Sequence, residues 1–296
     1  MSVDVEEWYH NCWVPEYVDP FRRPRLAEEL DALLPRTLER FETAGVRATF
    51  FVLGEVARRI PDRVREIAAA GHEVACHGDL HLRANDRSPE AFRRDATTAK
   101  TKLEDLVGTE VPGFRAPEWS LRSAVNPRFR IVAEIGFRYD SSLAPSPGAG
   151  SRDNARGVTR FRWPDGLALL EAPPATWAGA LRLPVGGWCG RLASPGLLAR
   201  AASRAAARGE LPLFVVHPWE LVDRPCPGLL TGFARFFHEA GRTGFADRVD
   251  RLARSLSFSA TLSEALADLP GEAAATAPAR PAVATAARLS TAGARR

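Results

Sequence analysis

The stretch PDRVREIAAAGHEVACHG, Pro61 to Gly78, reads as a helix, a stop and a strand in immediate succession. A proline opens it where a helix tolerates the missing N–H, Val64, Ile67 and Ala68 fall on one helical face, and Gly71 marks the C-terminal stop. The β-rich run from His72 to Cys76 follows at once and delivers His77 and, four residues on, His81.

The same order recurs on both sides. Leu26–Gly45 leads into Val46–Gly54, and Asn126–Gly136 leads into Phe137–Ser142. Ser88 and Pro89 announce a further helix to Gly108, which leads to the strand-like Val111–Pro117. With an opening strand over Met1–Val5, the alternation predicts an α/β fold with a parallel sheet, because parallel neighbours need crossovers that helices supply. At 296 residues a barrel is the economical closure. Gly157–Gly190 changes to short alternating pieces rich in turn residues, expected as hairpins and loops, with Pro184–Trp188 as a loop over a groove. A helix over Ser194–Gly209, an apolar strand over Leu211–His217 and amphipathic helix from Leu229 onward follow. One domain over 1–268 is expected, then a disordered Ala/Pro/Arg-rich tail over 271–296.

With 45% hydrophobic residues the chain can bury a full core, and its formal charge of +4 is spread along helices rather than gathered with aromatics, which argues against a nucleic-acid partner. Cys12, Cys76, Cys189 and Cys226 contain no Cys-x-x-Cys pair and read as free thiols. No apolar run approaches the roughly 20 residues of a membrane span, so stable membrane insertion is not expected. A cytoplasmic protein is expected, with peripheral membrane association as a variant, and the oligomeric state is left open.

Reactive side chains gather where the strands end. Asp4 and Glu6 close the first strand, His77 and His81 follow the third, Arg115 and Glu118 the fourth, Asp140 the fifth and His217 the last. In parallel α/β folds these C-terminal ends share one mouth, where ligands bind. If the backbone turns helical after Cys76, His77 and His81 lie on one face and can reach one divalent ion. Asp4 and Glu6 share one side of an extended strand, so one can bind metal while the other takes a proton. Arg115 can clamp a carboxylate with two hydrogen bonds. Asp140 either orients His217 by accepting its second ring proton or caps the next turn.

The ordered set SVDVEEW, HGDLH, FRAPEW, YDSS and FVVHPWE resembles the polysaccharide deacetylases of the NodB homology family, carbohydrate esterase family 4. It resembles most the branch associated with exopolysaccharide loci, which carries a C-terminal extension, here about 157–268. The resemblance implies a distorted (β/α)7 barrel. It also implies a metal-dependent hydrolase that removes N-acetyl groups from the amino sugars of a bacterial polysaccharide or its precursor and releases acetate. Asp4 becomes the catalytic base, Arg115 its tether, His217 the general acid and Asp140 the partner of that acid. Glu6, His77 and His81 become the ligands of a divalent ion, zinc foremost, with cobalt, manganese or nickel as alternatives. A backbone N–H after Pro117 becomes the oxyanion donor, and Trp119, Trp188 and Trp219, together with Trp8, become candidates for stacking on sugar rings. The partner implied is an N-acetylated glycan or glycan precursor. Three positions depart from the family pattern: Glu6 stands where aspartate is usual, Gly78 where serine or threonine is, and Trp119 near a usual tyrosine. Glu6 keeps two other functions in view, a metal-independent amidohydrolase acting on a small cyclic or linear amide, and a barrel that binds glycan without turning it over.

Overall fold

The computed structural model describes residues 1–10, 14, 29–147, 149–177, 182–223, 230–268 and 275–277. Among the described residues nine strands form one sheet: β1 (Ser2–Val5), β2 (Thr49–Val52), β3 (Glu73–Cys76), β4 (Gly113–Phe114), β5 (Tyr139–Asp140), β6 (Thr159–Arg162), β7 (Ala168–Glu171), β8 (Val215–Val216) and β9 (Ala275–Ala277). Between them run α1 (Leu30–Thr43), α2 (Gly54–Arg59), α3 (Pro61–Ala69), α4 (Pro89–Val107), α5 (Arg128–Glu134), α6 (Gly187–Arg191), α7 (Pro195–Ala206), α8 (Gly232–Glu239), α9 (Phe245–Leu256) and α10 (Leu262–Ala267). The order across the sheet is β8-β1-β2-β3-β4-β5-β7-β6-β9. Every pairing from β8 to β7 is parallel, so seven strands make up the (β/α)7 barrel that the resemblance implies.

Strand parity divides the core. Val3, Val5, Phe50, Val52, Val74, Cys76 and Phe114 pack outward against Val56, Phe92, Ala96, Ala99 and Leu103 of the helices. The alternate residues Phe51, Ala75, Tyr139 and Leu213 fill the interior. Burial on both faces is why these strands read as nearly unbroken apolar runs. The helix signals hold where they were strongest: Ser88 accepts the Ala91 N–H at 3.2 Å to cap α4, and Ser194 accepts the Leu197 N–H at 3.3 Å to cap α7.

Among the described residues no ladder joins β7 to β8. The gap is spanned by the segment after β7, where the Ala175 N–H donates to Leu213 O at 3.1 Å, Val185 N–H donates to Ala175 O at 2.7 Å, and Gly186 bridges to Val215. A Cβ on Gly186 would lie 2.7 Å from the Val215 backbone, so no side chain fits there. Pro184–Trp188 is therefore part of the barrel wall and the start of α6, which corrects the expectation of a loop over a groove. β6 and β7 form the expected hairpin. Within the tail expected to be disordered, Ala275–Ala277 pair with β6 as β9; the rest of 271–296 lies outside the described residues. Cys76 and Cys189 are free thiols as expected, whereas Cys12 and Cys226 lie outside the described residues. Among the described residues no helix is long and apolar enough to cross a membrane.

Candidate active site

Parity decides which side chains meet. Val3 and Val5 face the helices, so Ser2 and Asp4 face the interior, and Glu6 follows in a tight turn in which its N–H donates to Asp4 O at 3.0 Å. Arg115, one residue past Phe114, also faces inward and lies 3.9 Å over the ring of Phe51. Its guanidinium bonds Asp4 Oδ1 at 2.5 Å, Ser2 Oγ at 3.1 Å and, on the other side, Ser141 O at 3.2 Å and Ser141 Oγ at 2.9 Å. With Arg115 1% and Asp4 4% exposed, this is a buried ion pair whose charges and donors are largely matched within the protein. Ser2 and Ser141 are thus part of the site.

His77 and His81 come together through a loop, not the helical turn expected from their spacing. Gly78 at φ 81° and His81 at φ 52° reverse the chain, and α2 holds the loop from below: Gly54 N–H donates to Gly78 O and Glu55 N–H to Asp79 O, both at 3.0 Å. Asp95 accepts the Asp79 N–H at 2.8 Å, and Arg58 pairs with the Asp79 carboxylate. At Gly78 the left-handed backbone accounts for the absence of the family's usual hydroxyl residue. His10, which had no assigned role, stacks on His81 with centroids 5.2 Å apart and pairs with Glu55 at 2.9 Å.

Glu6 lies among three imidazoles: 3.6 Å from His77 Nε2, 3.1 Å from His81 Nε2 and 3.3 Å from His217 Nε2. Burial alone would raise its pKa, but the charges of His81 and His217 and the hydrogen bond from His217 prevail and hold it well below the usual carboxylate range. His77 tests whether a cation fits. Its Nδ1 lies 2.8 Å from Arg115 O, an acceptor only, so Nδ1 carries a proton, and in the neutral ring that binds metal Nε2 presents a lone pair to the Glu6 carboxylate. Among the described residues no hydrogen-bond partner reaches that buried Nε2. Two acceptors facing each other across 3.6 Å in a dry site call for a cation between them. Glu6, His77 and His81 offer three ligand atoms within 4.8 Å of one another, the donor set of a divalent ion site with open positions.

His217 ends β8 and begins a 3-10 turn over Pro218–Leu221. Its Nδ1 lies 2.8 Å from Glu220 Oε2, which also accepts the His217 backbone N–H at 3.0 Å. Arg191 of α6 meets the other oxygen of Glu220 at 3.0 Å. Burial opposes protonation of His217, but the charges of Glu220 and Glu6 outweigh it and raise its pKa well above the ordinary value.

Asp140 is not the partner of His217. It stands on the rung Val52–Cys76–Phe114–Asp140–Glu171, which faces the helices, whereas the acid lies at the interior mouth. The serine after it, Ser141, is the residue that reaches inward. Glu220 takes the role, and its signal was in the HPWE motif: three residues after a histidine, a glutamate on a short turn returns to it.

The turn over Pro117–Trp119 is strained, with Glu118 at φ 54° and Trp119 at φ 48°. Trp119 N–H donates to Ala116 O and Ser120 N–H to Pro117 O, so neither is the oxyanion donor. Trp119 and Trp188 are half-buried, while Trp8 and Trp219, against expectation, are buried. Trp219 is 3% exposed, sandwiched between His217 at 5.4 Å and His238 at 4.7 Å, so it supports the acid and presents no open face to a sugar. Trp188 packs on Phe237 of α8 at 4.5 Å, and Trp8 is buried against Tyr9.

Residues 28–139 match the family model described as polysaccharide deacetylase, and residues 141–266 match one described as a domain of unknown function (DUF3473). The peptidoglycan deacetylase of Helicobacter pylori is 30% identical over 147 residues, 48% of each chain. A peptidoglycan-N-acetylglucosamine deacetylase of Bacillus cereus is 27% identical over 143 residues, 44% of this chain and 52% of the relative. The chain thus spans about half the length of the relatives it matches. A crystal structure from Mycobacterium smegmatis, provisionally named a polysaccharide deacetylase, superimposes with a TM-score of 0.62 at 22% identity over 95% of this chain and 93% of that one, and shows the fold.

Proposed function

Residues 28–139 belong to the polysaccharide deacetylase family, and from that premise we propose that this protein is a metal-dependent hydrolase that removes N-acetyl groups from amino sugars of a bacterial polysaccharide or its precursor. The observation that carries the reading is the convergence of Glu6, His77 and His81, whose ligand atoms lie within 4.8 Å of one another while His77 Nδ1 is engaged by Arg115 O and its Nε2 faces Glu6. Glu6, His77 and His81 would hold a divalent ion, and two imidazoles with one carboxylate suit zinc, with cobalt, manganese or nickel as substitutes. When bound, such an ion brings the pKa of water toward about 7 and polarises an acetyl oxygen.

This chain's own residues supply the proton transfers. Asp4 is oriented through Oδ1 by Arg115, so its other oxygen takes the proton of the attacking water. His217, between Glu220 and Glu6, enters the reaction protonated and delivers its Nε2 proton to the amide nitrogen as the C–N bond breaks. The strained Pro117–Trp119 turn that follows Arg115 is the backbone that would face the oxyanion. The products are acetate and a free amino sugar.

The test is acetate release from N-acetylglucosamine oligomers by protein stripped and reloaded with zinc, cobalt, manganese or nickel, with Asp4→Asn and His77→Ala in parallel. Metal-dependent release, abolished in both variants, supports the reading. Release that survives chelation and His77→Ala refutes the metal role.

A further inference from the structure

Asp140 and Glu171 remain outside the chemistry described above, yet they are the most constrained carboxyl pair in the described residues that is not matched by a basic side chain at bonding distance. They are register partners across the parallel β5–β7 ladder, 0% and 2% exposed, on the helix-facing side of the sheet, and among the described residues no donor reaches the buried Glu171 Oε2. Asp140 accepts the Ser142 N–H and the Ser142 hydroxyl, both at 2.8 Å, while Glu171 accepts the Leu143 N–H at 2.9 Å. Ser142 Oγ in turn accepts the Ala116 N–H at 2.8 Å. The residue after Ala116 begins the strained turn over Pro117–Trp119, and the residue before it is Arg115, the tether of Asp4.

We propose that Asp140 and Glu171 act as one acid pair that positions Ala116 and the Pro117–Trp119 turn from behind the sheet, through Ser142. Both are positioning residues, since neither touches the reacting atoms, and the assignment rests on the reading of that turn as the substrate-facing backbone.

Two ionised carboxylates cannot share a dry site in hydrogen-bond contact, so the pair holds together through one proton. Burial pushes Asp140 up to about 6 against the hydrogen bonds from Glu171 and Ser142, and burial together with the charge of Asp140 pushes Glu171 well above the usual carboxylate range. Glu171 is therefore the member that keeps the proton, and it donates to Asp140 while its other oxygen holds Leu143. Arg115 acts on Asp140 through its charge, from the interior side, where it is engaged by Asp4 and Ser141. Across the β6–β7 ladder Glu171 meets Thr159, which is uncharged, Glu118 of the turn is directed toward Arg83, and Tyr139 bonds Glu73 in the interior. Among the described residues, the arginines of α5, which packs on β5 and β7, are engaged elsewhere, Arg128 by Arg87 O and Arg130 by Glu134 and Asp165. When the proton leaves at high pH, two like charges face each other and the grip on Ser142 and Ala116 loosens.

The test reads the full-length protein by infrared spectroscopy and by amide hydrogen exchange at Ala116 and Ser142, with the amides of α4 as an internal control. In the wild type a protonated-carboxyl band is expected at pH 7, and the protection factors of Ala116 and Ser142 should fall at least tenfold over the alkaline range in which that band disappears. Glu171→Gln, which can still donate to Asp140 but cannot ionise, should lack the band and keep its protection through that range. Glu171→Ala should lose protection at these two amides at pH 7 while α4 stays protected; if that variant unfolds throughout, the comparison of wild type with Glu171→Gln across pH decides. Absence of the band at pH 7, or protection in wild type and Glu171→Gln that follows the same course with pH, overturns the proposal. Acetate release on the same samples separates it from the deacetylase reading, because coupling without release under any metal refutes that reading alone.

Discussion

Glu220 holds His217 twice, through the backbone N–H at 3.0 Å and the ring Nδ1 at 2.8 Å, with one and the same oxygen. The ring can therefore neither flip nor change tautomer without breaking the cap of the turn that carries it. Arg191 occupies the other oxygen, so the charge on Glu220 survives its burial.

Removal of that charge should be visible in the pH dependence. His217 has a raised pKa because Glu220 and Glu6 favour its protonated form, so Glu220→Gln should lower it and move the alkaline limb of kcat toward lower pH. A loss in kcat of roughly 10- to 100-fold at the wild-type optimum is expected, since a positioned acid contributes about 10²- to 10⁴-fold and the variant retains the ring. A full pH–rate profile of both proteins is the measurement, and an unmoved alkaline limb would remove Glu220 from its role.

Arg115→Met should be among the most destabilising single changes in the chain. It leaves the Asp4 carboxylate buried without its partner and frees Ser2 and Ser141, and breaking a buried pair from one side typically costs about 3–5 kcal/mol. Arg115→Lys should recover only part of this, because one ammonium cannot reach the three residues that the planar guanidinium spans. Urea unfolding at pH 7 checks both.

Gly78→Ser restores the side chain common in the family and should nevertheless destabilise this protein. The residue sits at φ 81°, and its Cβ would lie 3.0 Å from Asp95 Oδ2. A loss of about 1–2 kcal/mol is expected from the left-handed backbone, with a smaller one for Gly78→Asn, which tolerates that region better. Equal unfolding midpoints for the two variants would show that the strain lies elsewhere.

His72 predicts an acid limb of stability unrelated to the active site. Burial and the nearby Arg47 charge lower its pKa from 6.5 to about 4. The unfolded chain therefore takes up this proton at a higher pH than the folded one, and the stabilising contribution, complete above pH 6.5, is lost as pH falls toward 4. His72→Gln, whose side-chain oxygen can still accept the Ala48 N–H that the imidazole now accepts at 3.3 Å, should lose less Tm between pH 7 and pH 5 than the wild type. Parallel melting curves at the two pH values test this.

The strands and their terminal residues were legible because parallel strands buried on both faces leave an unmistakable apolar run, and because chemistry in such folds collects where those runs stop. Asp4, Glu6, His77, His81, Arg115 and His217 converge as that logic requires. What failed was finer than an element. Asp140 was placed at the correct strand end but on the wrong face, since a two-residue period sends neighbours Asp140 and Ser141 to opposite sides and nothing in YDSS says which is inward until the register with Phe114 is known. The His77 and His81 spacing suggested a helix, yet Gly78 reverses the chain, a signal present in the residue itself. Trp188 and Trp219 looked like surface aromatics because sequence carries no record of what later elements fold over them, here α8 and His238.

The seam between β7 and β8 bears on how such a protein is inherited. The matched deacetylase region stops at residue 139, within β5, while β7, Gly186, β8 and His217 all lie in the region of unknown function that follows. Two staves of the barrel, the wedge that joins them to each other and the group that would protonate the leaving nitrogen thus come from the second region, and Asp4 and Glu6 precede the first. A recombination event cutting at that border would transmit an open sheet and half a reaction, so in this architecture the two regions can be exchanged between genes only together.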